Sequence, residues 1–370
     1  MNNSPLRSRA LLWLAALPLI LVAGCASSAP DTPQPTRSTP TPSNTEVAPI
    51  RDLVTDLKAP WSIAFYGETP LVSERDSGRI LELVPTATGT YDKRRIATID
   101  EVSARGEGGL LGLAARPGFL YAYFTSSQDN RIERYELRGK PGSLSLGKAE
   151  TIIKGIPKAN NHNGGRIAFG PDGKLYATTG DAGDSSTSQN RSSLAGKILR
   201  LEPGGAIPAD NPFKGSAVYS YGHRNPQGIT WGPDGTMYAS EFGQDTFDEL
   251  NVIEAGGNYG WPIVEGIAKR KGFIDPVQQW DPSEASPSGI AVVDGSIFIA
   301  NLRGRLLREV PLTSLSTSTD HFVSEYGRIR DVVAAPDGTL WFLSNATDGR
   351  GDPREGDDRI VRLDPHSATE

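Results

Sequence analysis

Six copies of one short turn-and-strand pattern follow one another along most of this chain. Each copy has a glycine in a polar turn and continues into a strand-like run, as in 169–178 and 231–240. The turn glycines are Gly67, Gly118, Gly173, Gly235, Gly295 and Gly338. Their spacings of 51, 55, 62, 60 and 43 residues leave room for four short strands per repeat. Four of the six follow Asp, and Asp-Gly pairs supply the positive φ angles that hairpin turns require.

A second strand-like segment lies further along each repeat, and it alternates or runs apolar as β-strands do. These segments are 78–84, 130–137, 196–202, 248–254, 304–310 and 358–364. Beyond the first 24 residues, no stretch longer than twelve residues keeps a helical period with caps. The sequence therefore predicts an all-β fold, a six-bladed β-propeller, in which 51–57 closes the ring by pairing with the last blade. Its loops are expected to converge on one mouth of the central channel.

The N-terminal segment is typical of a bacterial lipoprotein signal. Residues 1–24 contain Arg7 and Arg9, no acidic residue, and an apolar run that ends in Val22-Ala23-Gly24 before Cys25. Cys25 is the only cysteine, so a disulfide within the chain is excluded, and we expect this thiol to carry a lipid. The alternative is an uncleaved membrane helix, but the apolar run is shorter than the roughly 20 residues that a span needs.

Residues 25–49 are rich in Pro, Ser and Thr and have no apolar period, so we interpret them as a tether. The propeller domain is assigned to 50–366. Loss of the signal removes two arginines, which changes the formal net charge from −6 to −8. A nucleic-acid partner is therefore not expected. The predicted location is the outer face of a bacterial cell membrane, with contact through the lipid anchor only.

Polar residues concentrate between glycine turns at 221–262, where GHRNPQG, EFG, DELN and GGNYGWP occur in about forty residues. Each motif alone has a structural interpretation, such as a buried aromatic turn or a hydrogen-bonded loop. Two further loops are unusual: His162-Asn163-Gly164-Gly165-Arg166 precedes the third repeat, and Arg328-Ile329-Arg330-Asp331 precedes the sixth. In the second, the Arg-x-Arg spacing directs both guanidinium groups to one side of a strand. The alternative is a solvated strand face with Asp331 and Glu325 as counter-ions.

Taken in order, these motifs resemble the soluble glucose/sorbosone dehydrogenase family, which depends on pyrroloquinoline quinone (PQQ), and its aldose sugar dehydrogenase branch. The resemblance covers nearly the whole chain after residue 55. It implies that His162 is the general base and that Arg224 and Asn225 contact the cofactor, with Arg224 also near the reacting carbon. Three further arginines would bind the carboxylates of PQQ, namely Arg303, Arg328 and Arg330. His223 is expected to support its loop.

The resemblance also implies calcium, which takes six to eight oxygen ligands including backbone carbonyls. Carbonyls of Gly243 and Gln244 are the expected ligands beside PQQ, and Glu249 with the Tyr259 carbonyl those of a second ion. The chain departs from the family pattern at Phe242 and Gln244. It also has Glu107 where relatives often have Gln. This carboxylate would repel an anionic cofactor unless it is protonated or paired, for instance with Arg105. Asp181 and Asp184, in GDAGD, are interpreted as turn caps.

The predicted function is oxidation of a hydroxyl of an aldose or related sugar, with PQQ as hydride acceptor and an electron acceptor that the sequence does not identify. A monomer is expected. Two alternatives remain open at this point. One is a calcium-dependent lactone hydrolase, against which the arginine cluster argues. The other is a binding lipoprotein that has kept the propeller and lost the cofactor, which Glu107, Phe242 and Gln244 favour.

Overall fold

A computed structural model of the protein describes residues 50–364, and these form six antiparallel sheets of four strands each. The only helical element in this range is a 3-10 turn at Ser185–Thr187. Between residues 50 and 364 no helix is long and apolar enough to cross a membrane. The six-bladed β-propeller predicted from the repeats is confirmed. The signal segment, Cys25, the tether and the end of the domain at 366 lie outside the described residues.

The first three blades contain twelve strands in chain order. Blade 1 consists of β2 (Pro60–Tyr66), β3 (Thr69–Glu74), β4 (Arg79–Pro85) and β5 (Tyr91–Thr98). Blade 2 consists of β6 (Leu110–Arg116), β7 (Phe119–Thr125), β8 (Asn130–Arg138) and β9 (Ser145–Ile156). Blade 3 consists of β10 (Ile167–Phe169), β11 (Leu175–Thr179), β12 (Lys197–Leu201) and β13 (Val218–Tyr221).

The remaining blades follow the same order, except that the last one takes its fourth strand from the beginning of the domain. Blade 4 consists of β14 (Pro226–Trp231), β15 (Met237–Glu241), β16 (Asp248–Ile253) and β17 (Gln278–Trp280). Blade 5 consists of β18 (Pro287–Val293), β19 (Ser296–Asn301), β20 (Leu306–Pro311) and β21 (Thr319–His321). Blade 6 consists of β22 (Ile329–Ala334), β23 (Leu340–Ser344), β24 (Ile360–Leu363) and β1 (Arg51–Val54).

Strand β1 closes the ring as the sequence predicted. It pairs antiparallel with β24, so that Arg51 lies opposite Arg362 and Val54 lies opposite Ile360. A salt bridge of 2.7 Å between Arg359 Nη1 and Asp52 Oδ2 reinforces this edge. The first and last strands of the domain thus share one sheet, and the circle of blades is complete.

The six turn glycines connect the first and second strands of their blades. All six have positive φ, between 58° and 84°. A Cβ atom added at any of them would meet no heavy atom within 4 Å. Glycine is needed here because of the backbone conformation rather than the available space.

Apolar packing between blades forms the core. Six buried clusters occur in residues 50–364, one between each pair of neighbouring blades. Between blades 6 and 1, for example, Trp341 and Leu343 of β23 share one cluster with Ile63 of β2 and Val72 of β3. Burial of apolar side chains stabilises each blade against the next, which is why an isolated blade would lack a core.

The first strands of the blades surround the channel and contact one another in sequence. Each first strand begins at the same end of the channel, which we call the mouth. The loops that enter these strands, and those that join the second and third strands, meet there. The glycine turns described above lie at the opposite end. This arrangement brings loops from all six blades to one place.

Candidate active site

A cavity of about 210 Å³ opens at the mouth of the channel. It contains four of the predicted cofactor residues, three from different loops and Arg330 from the beginning of β22. The residues that line it are Trp61, Arg75, Glu107, Gln227, Phe242, Ser286, Leu302, Arg303, Arg328, Arg330 and Arg350. Five of these are arginines and one is a carboxylate, so the wall favours an anionic ligand.

His162 lies in the loop between β9 and β10, with its side chain 13 % exposed. Its Nδ1 lies 2.7 Å from Asp181 Oδ1, and Asp181 Oδ2 accepts a 2.9 Å hydrogen bond from the indole Nε1 of Trp261. An ionised carboxylate only accepts, so Nδ1 carries the hydrogen and the lone pair lies on Nε2, where Asn161 Nδ2 makes a long contact of 3.4 Å. This arrangement leaves Nε2 as the atom that can take a proton from a substrate hydroxyl.

Asp181 is buried, and its ionisation is stabilised by its neighbours. Burial opposes ionisation, but hydrogen bonds from His162, the Gly183 N–H and Trp261 hold the pKa of Asp181 below its ordinary value. The sequence interpretation of Asp181 as a turn cap is incomplete, since the same carboxylate orients His162. Asp181 comes two residues after β11, beside the loop that enters the same blade, and this position was the available signal in the sequence. Asp184 does cap a turn, through Ser186.

The backbone around His162 is packed tightly. A Cβ on Gly180 would lie 2.0 Å from the carbonyl oxygen of His162, so only glycine allows this approach. His162 itself has a φ of +53°, in the left-handed region that side chains other than glycine seldom adopt. Its N–H donates to Glu107 Oε2 at 2.9 Å. Strain at a non-glycine residue of this kind is held by surrounding contacts and is common at functional sites.

Arg224 and Asn225, in the loop before β14, supply donors beside this pair. Arg224 Nη1 donates to the carbonyls of Phe242 and Gly243, and the guanidinium lies 5.5 Å from the ring of Trp261. Asn225 Oδ1 accepts from the N–H of Gly164 at 3.0 Å. Within the described residues, Arg224 Nε and Asn225 Nδ2 are buried and have no hydrogen-bond partner. Such donors are costly unless a ligand accepts from them.

His223 supports this loop from behind, as predicted. Its Nδ1 lies 2.8 Å from Glu241 Oε2 and its Nε2 lies 2.8 Å from Ser220 Oγ. The ring stacks on Tyr259 with centroids 4.7 Å apart. Glu241 also accepts the backbone N–H of Arg224. With both nitrogens engaged and the side chain fully buried, His223 has no access to a substrate.

The Arg-x-Arg motif brings Arg328 and Arg330 to the cavity together, as predicted. Arg330 is buried and donates to Gln227 Oε1 at 2.8 Å. Burial lowers the pKa of Arg330 to about 9, with Arg328 and Arg75 contributing and Asp348 opposing. Asp348 lies 3.4 Å from Arg328 and 3.6 Å from Arg330.

The counter-ion of this pair therefore differs from the alternative raised by the sequence. Asp331 pairs instead with Arg166 across the channel, at 3.0 Å. Asp348 comes from the loop between β23 and β24, and no local spacing connects it with the motif. Arg303 lines the same cavity with an exposed side chain, and its N–H donates to the Ala285 carbonyl at 3.1 Å.

Glu107 is paired, but with a partner that the sequence did not indicate. Its Oε1 lies 3.1 Å from Arg350 Nη1, and not beside the guanidinium of Arg105. Arg350 follows β23, more than two hundred residues away in the chain. The carboxylate thus carries a counter-ion, which removes the expected repulsion towards an anionic cofactor.

The site meets a chemical test for PQQ. A planar quinone with three carboxylates needs several cations and additional donors, and the described residues supply both. Arg303, Arg328 and Arg330 lie at one wall, while the unpartnered donors of Arg224 and Asn225 lie nearby. Guanidinium groups bind carboxylates through paired N–H donors, so this set suits the group.

The expected calcium ligands are in part brought together. The Gly243 carbonyl accepts from Arg224, and the neighbouring Gln244 is exposed, with its N–H 2.6 Å from Glu265 Oε1. Glu249 is buried and lies opposite Glu241 in the β15–β16 register. Burial raises the pKa of Glu249, and the neighbouring Glu241 carboxylate raises it further. Among residues 50–364, no group of three or more His, Cys, Asp or Glu side chains could hold a metal. Carbonyl oxygens would have to complete any calcium site.

Tyr259 lies beside this region. Its hydroxyl donates to the Val252 carbonyl at 2.7 Å and accepts from the Glu254 N–H at 2.8 Å. Glu249 accepts from the Gly266 N–H at 2.7 Å and from Asn251 Nδ2 at 3.1 Å. The side chain of Tyr259 is thus structural, and only its carbonyl is a candidate ligand.

Comparison with known proteins agrees with this geometry. The family model for Glucose / Sorbosone dehydrogenase matches residues 57–355. The structure of the PQQ-bound form of aldose sugar dehydrogenase from Streptomyces coelicolor is 49% identical, with a TM-score of 0.81, and the match covers 85% of this chain and 96% of that one.

Two curated relatives are also similar. Aldose sugar dehydrogenase YliI from Escherichia coli (strain K12) is 30% identical, with 79% of this chain and 89% of the relative covered. Quinoprotein glucose dehydrogenase B from Acinetobacter calcoaceticus is 31% identical, with 60% and 54% covered. The family match spans most of the chain and includes every loop that forms the cavity. This chain therefore belongs to the glucose/sorbosone dehydrogenase family.

Proposed function

We propose that this protein oxidises a hydroxyl of an aldose or related sugar, with PQQ as the hydride acceptor. The observation that carries the proposal is the oriented pair of His162 and Asp181 at the mouth of the channel, close to an arginine-lined cavity. PQQ supplies hydride acceptance when it is bound. Relatives named as quinoprotein and aldose sugar dehydrogenases support this assignment.

The chain's own residues have distinct roles in this proposal. Asp181 holds the imidazole of His162 so that Nε2 accepts the proton from the sugar hydroxyl. Arg224 and Asn225 present N–H donors to developing negative charge. Arg303, Arg328 and Arg330 bind and orient the carboxylates of the cofactor.

The proposal also includes two bound calcium ions. Carbonyl oxygens of Gly243 and Gln244 would hold one ion beside the cofactor, where Lewis acidity aids the quinone. Glu249 and the Tyr259 carbonyl would hold another. The support is chemical: Glu249, Glu241 and Glu265 lie close enough for their charges to interact, and a cation would relieve that repulsion.

The cellular setting is likewise proposed. Processing after residue 24 would leave Cys25 lipidated, and residues 25–49 would tether the domain of 50–366 to the outer face of a bacterial membrane. The protein would act there as a monomer on a small sugar and pass electrons to an acceptor outside the chain. Support comes from the sequence of the first 49 residues.

Titration of the purified protein with PQQ, with and without Ca²⁺, tests the proposal. Binding followed by absorbance is expected to be tight and to need Ca²⁺, and dye reduction with a panel of aldoses should follow. Arg330→Ala should weaken PQQ binding by at least tenfold, since about 1.4 kcal/mol is lost with one charge-assisted contact.

Arg308→Ala is the matched control, because Arg308 is also a buried arginine but pairs with Asp320 on blade 5. It should leave PQQ affinity unchanged. Absence of both PQQ binding and sugar oxidation in the native protein would overturn the proposal. Calcium-dependent lactone hydrolysis, or retention of another ligand without turnover, would instead identify one of the two alternatives.

A further inference from the structure

Glu107 lies in the loop between β5 and β6, where it lines the cavity and contacts His162 at the same time. Its carboxylate has one neighbour on each oxygen. Oε2 accepts the His162 backbone N–H at 2.9 Å, and Oε1 accepts from Arg350 Nη1 at 3.1 Å. The side chain therefore joins loops that enter blades 2 and 3 to a loop of blade 6.

Both neighbours of Glu107 are donors, which explains the residue type. A carboxylate only accepts, so each oxygen can satisfy one of them. A glutamine in the same place would offer one accepting oxygen and one donating amide group. Its amide group would face a donor, either the His162 N–H or the Arg350 guanidinium. The departure from the family's Gln is thus matched to Arg350.

The contact with His162 bears on the general base itself. A φ of +53° is unfavourable for histidine, so the loop needs external contacts to keep it. Asp181 fixes the ring, whereas Glu107 fixes the backbone from which the ring extends. The His162 carbonyl, on the other side, accepts from the Ala182 N–H at 3.1 Å.

Arg350 connects this contact with the arginine cluster. Its backbone N–H donates to Asp348 Oδ1 at 2.9 Å, and Asp348 is the counter-ion of Arg328 and Arg330. A displacement of Arg350 would therefore act on both sides of the cavity. The ion pair between Glu107 and Arg350 connects the two sides of the cavity, and the Glu107 side chain is only 19 % exposed.

We propose that Glu107 is a positioning residue that holds His162 in its left-handed conformation and is itself held by Arg350. This inference rests on the proposed function only in that His162 is taken as the proton acceptor. The structural part, a hydrogen bond from the His162 N–H to the Glu107 carboxylate, is independent of any cofactor.

Amide hydrogen exchange of His162 tests the structural part without PQQ. The chain has four histidines, so labelling with ¹⁵N-histidine gives four amide signals, and His162→Asn identifies the one in question. Glu107→Ala is expected to accelerate His162 exchange about ten- to hundredfold, because a hydrogen bond to a charged acceptor is lost. In Glu107→Gln, the His162 exchange rate should stay within about threefold of the native rate, because the amide oxygen of Gln can still accept from the His162 N–H.

Three controls separate a local effect from a general one. Arg350→Met should accelerate His162 exchange less than Glu107→Ala does, because the carboxylate remains. Glu150→Gln breaks a similar ion pair, that with Arg134 on blade 2, and should change nothing at His162. The amide of His223, bonded to the Gly196 carbonyl at 3.2 Å, reports global opening and should stay constant.

The kinetic part uses protein loaded with PQQ. Glu107→Ala should lower kcat about a hundredfold with KM nearly unchanged, as expected for a misplaced base, and Glu107→Gln should recover most of it. Unchanged His162 exchange in Glu107→Ala would overturn the inference even if the native protein oxidises sugars. Faster exchange in a protein that never oxidises sugars would uphold the contact and refute only the proposed function.

Discussion

Individual residues at the mouth act through their partners. His162 has its lone pair on Nε2 because Asp181 accepts from Nδ1, and Asp181 in turn is held by the indole of Trp261. Histidine alone in a glycine-rich loop would sample several orientations. The sequence identified the base, but the residue that orients it became evident only when the two loops were seen together.

Replacement of Asp181 by Asn tests this orientation. Asn can donate to Nδ1, which favours the wrong tautomer and removes the charge that stabilises a protonated ring. We expect kcat for sugar oxidation to fall by at least about a hundredfold, with PQQ affinity unchanged. Steady-state kinetics and PQQ titration measure the two quantities.

Asp184→Asn is the matched control, since Asp184 lies in the same loop, caps the 3-10 turn and has no contact with His162. Its kcat should stay within about twofold of the native value. An Asp181→Asn protein that remains equally active would show that His162 needs no orienting carboxylate.

Among the elements, strand β12 anchors the loop that precedes it. Lys197 is fully buried, and its Nζ donates to the carbonyls of Thr187, Ser188 and Ala195 at 2.9, 2.9 and 2.6 Å. The loop continues to Gln189, which donates to the Trp261 carbonyl at 2.8 Å. A buried lysine thereby supports the tryptophan that holds Asp181.

Lys197 also predicts a dependence of stability on pH. Burial lowers its pKa from 10.5 to about 7, so between these values the unfolded chain binds a proton that the folded protein does not. The unfolding free energy of the native protein, relative to that of Lys197→Met, should therefore rise with pH over this window by up to about 1.4 kcal/mol per pH unit. Below pH 7 both states are protonated and the difference should level off.

Urea denaturation of the native protein and Lys197→Met at pH 7, 8, 9 and 10 measures this difference. Lys174→Met serves as the control, because Lys174 is less buried and pairs with Glu202 at 2.5 Å. The difference in unfolding free energy between Lys174→Met and the native protein should not change with pH in this way. A flat result for Lys197→Met would mean that the three carbonyls fully offset the effect of burial.

The strands differ in how well the sequence predicted them. Second and third strands of each blade were predicted because they are buried on both faces or alternate clearly. Outer strands were not, since β5, for instance, has no buried residue and reads YDKRRIAT. β1 was predicted as the closing strand, and its pairing with β24 is confirmed.

At the scale of the whole molecule, a buried ion pair crosses the channel. Arg166 of the loop entering blade 3 meets Asp331 of blade 6 at 3.0 Å, and Asp331 also accepts from the Ile63 N–H of blade 1 at 2.9 Å. Burial lowers the pKa of Arg166 and raises that of Asp331. Three blades thus depend on one carboxylate.

Asp331→Asn should destabilise the domain by about 3–5 kcal/mol, because it leaves the Arg166 charge buried without compensation. The double variant Arg166→Met with Asp331→Asn should lose less than the sum of the single variants. Urea unfolding of the four proteins gives the values. Additive losses would show that the two side chains do not interact.

Glu136→Gln is the control for this pair. It breaks the contact between Arg138 and Glu136, whose side chains are 60 % and 53 % exposed, and should cost only about 0–1 kcal/mol. The comparison separates a buried charge pair in the channel from an exposed one on blade 2.

The sequence by itself determined the repeat number, the six-bladed fold, the family, and the polar loops that form the mouth. These follow from local signals, because glycine turns, strand periods and short motifs each depend on residues that are close together in the chain. The tertiary structure decided which charges meet. Asp348 as counter-ion of the arginines, Arg350 beside Glu107, and Asp331 opposite Arg166 all join distant loops. A propeller brings such loops together around one axis, so pairing there depends on the ring and not on spacing in the chain.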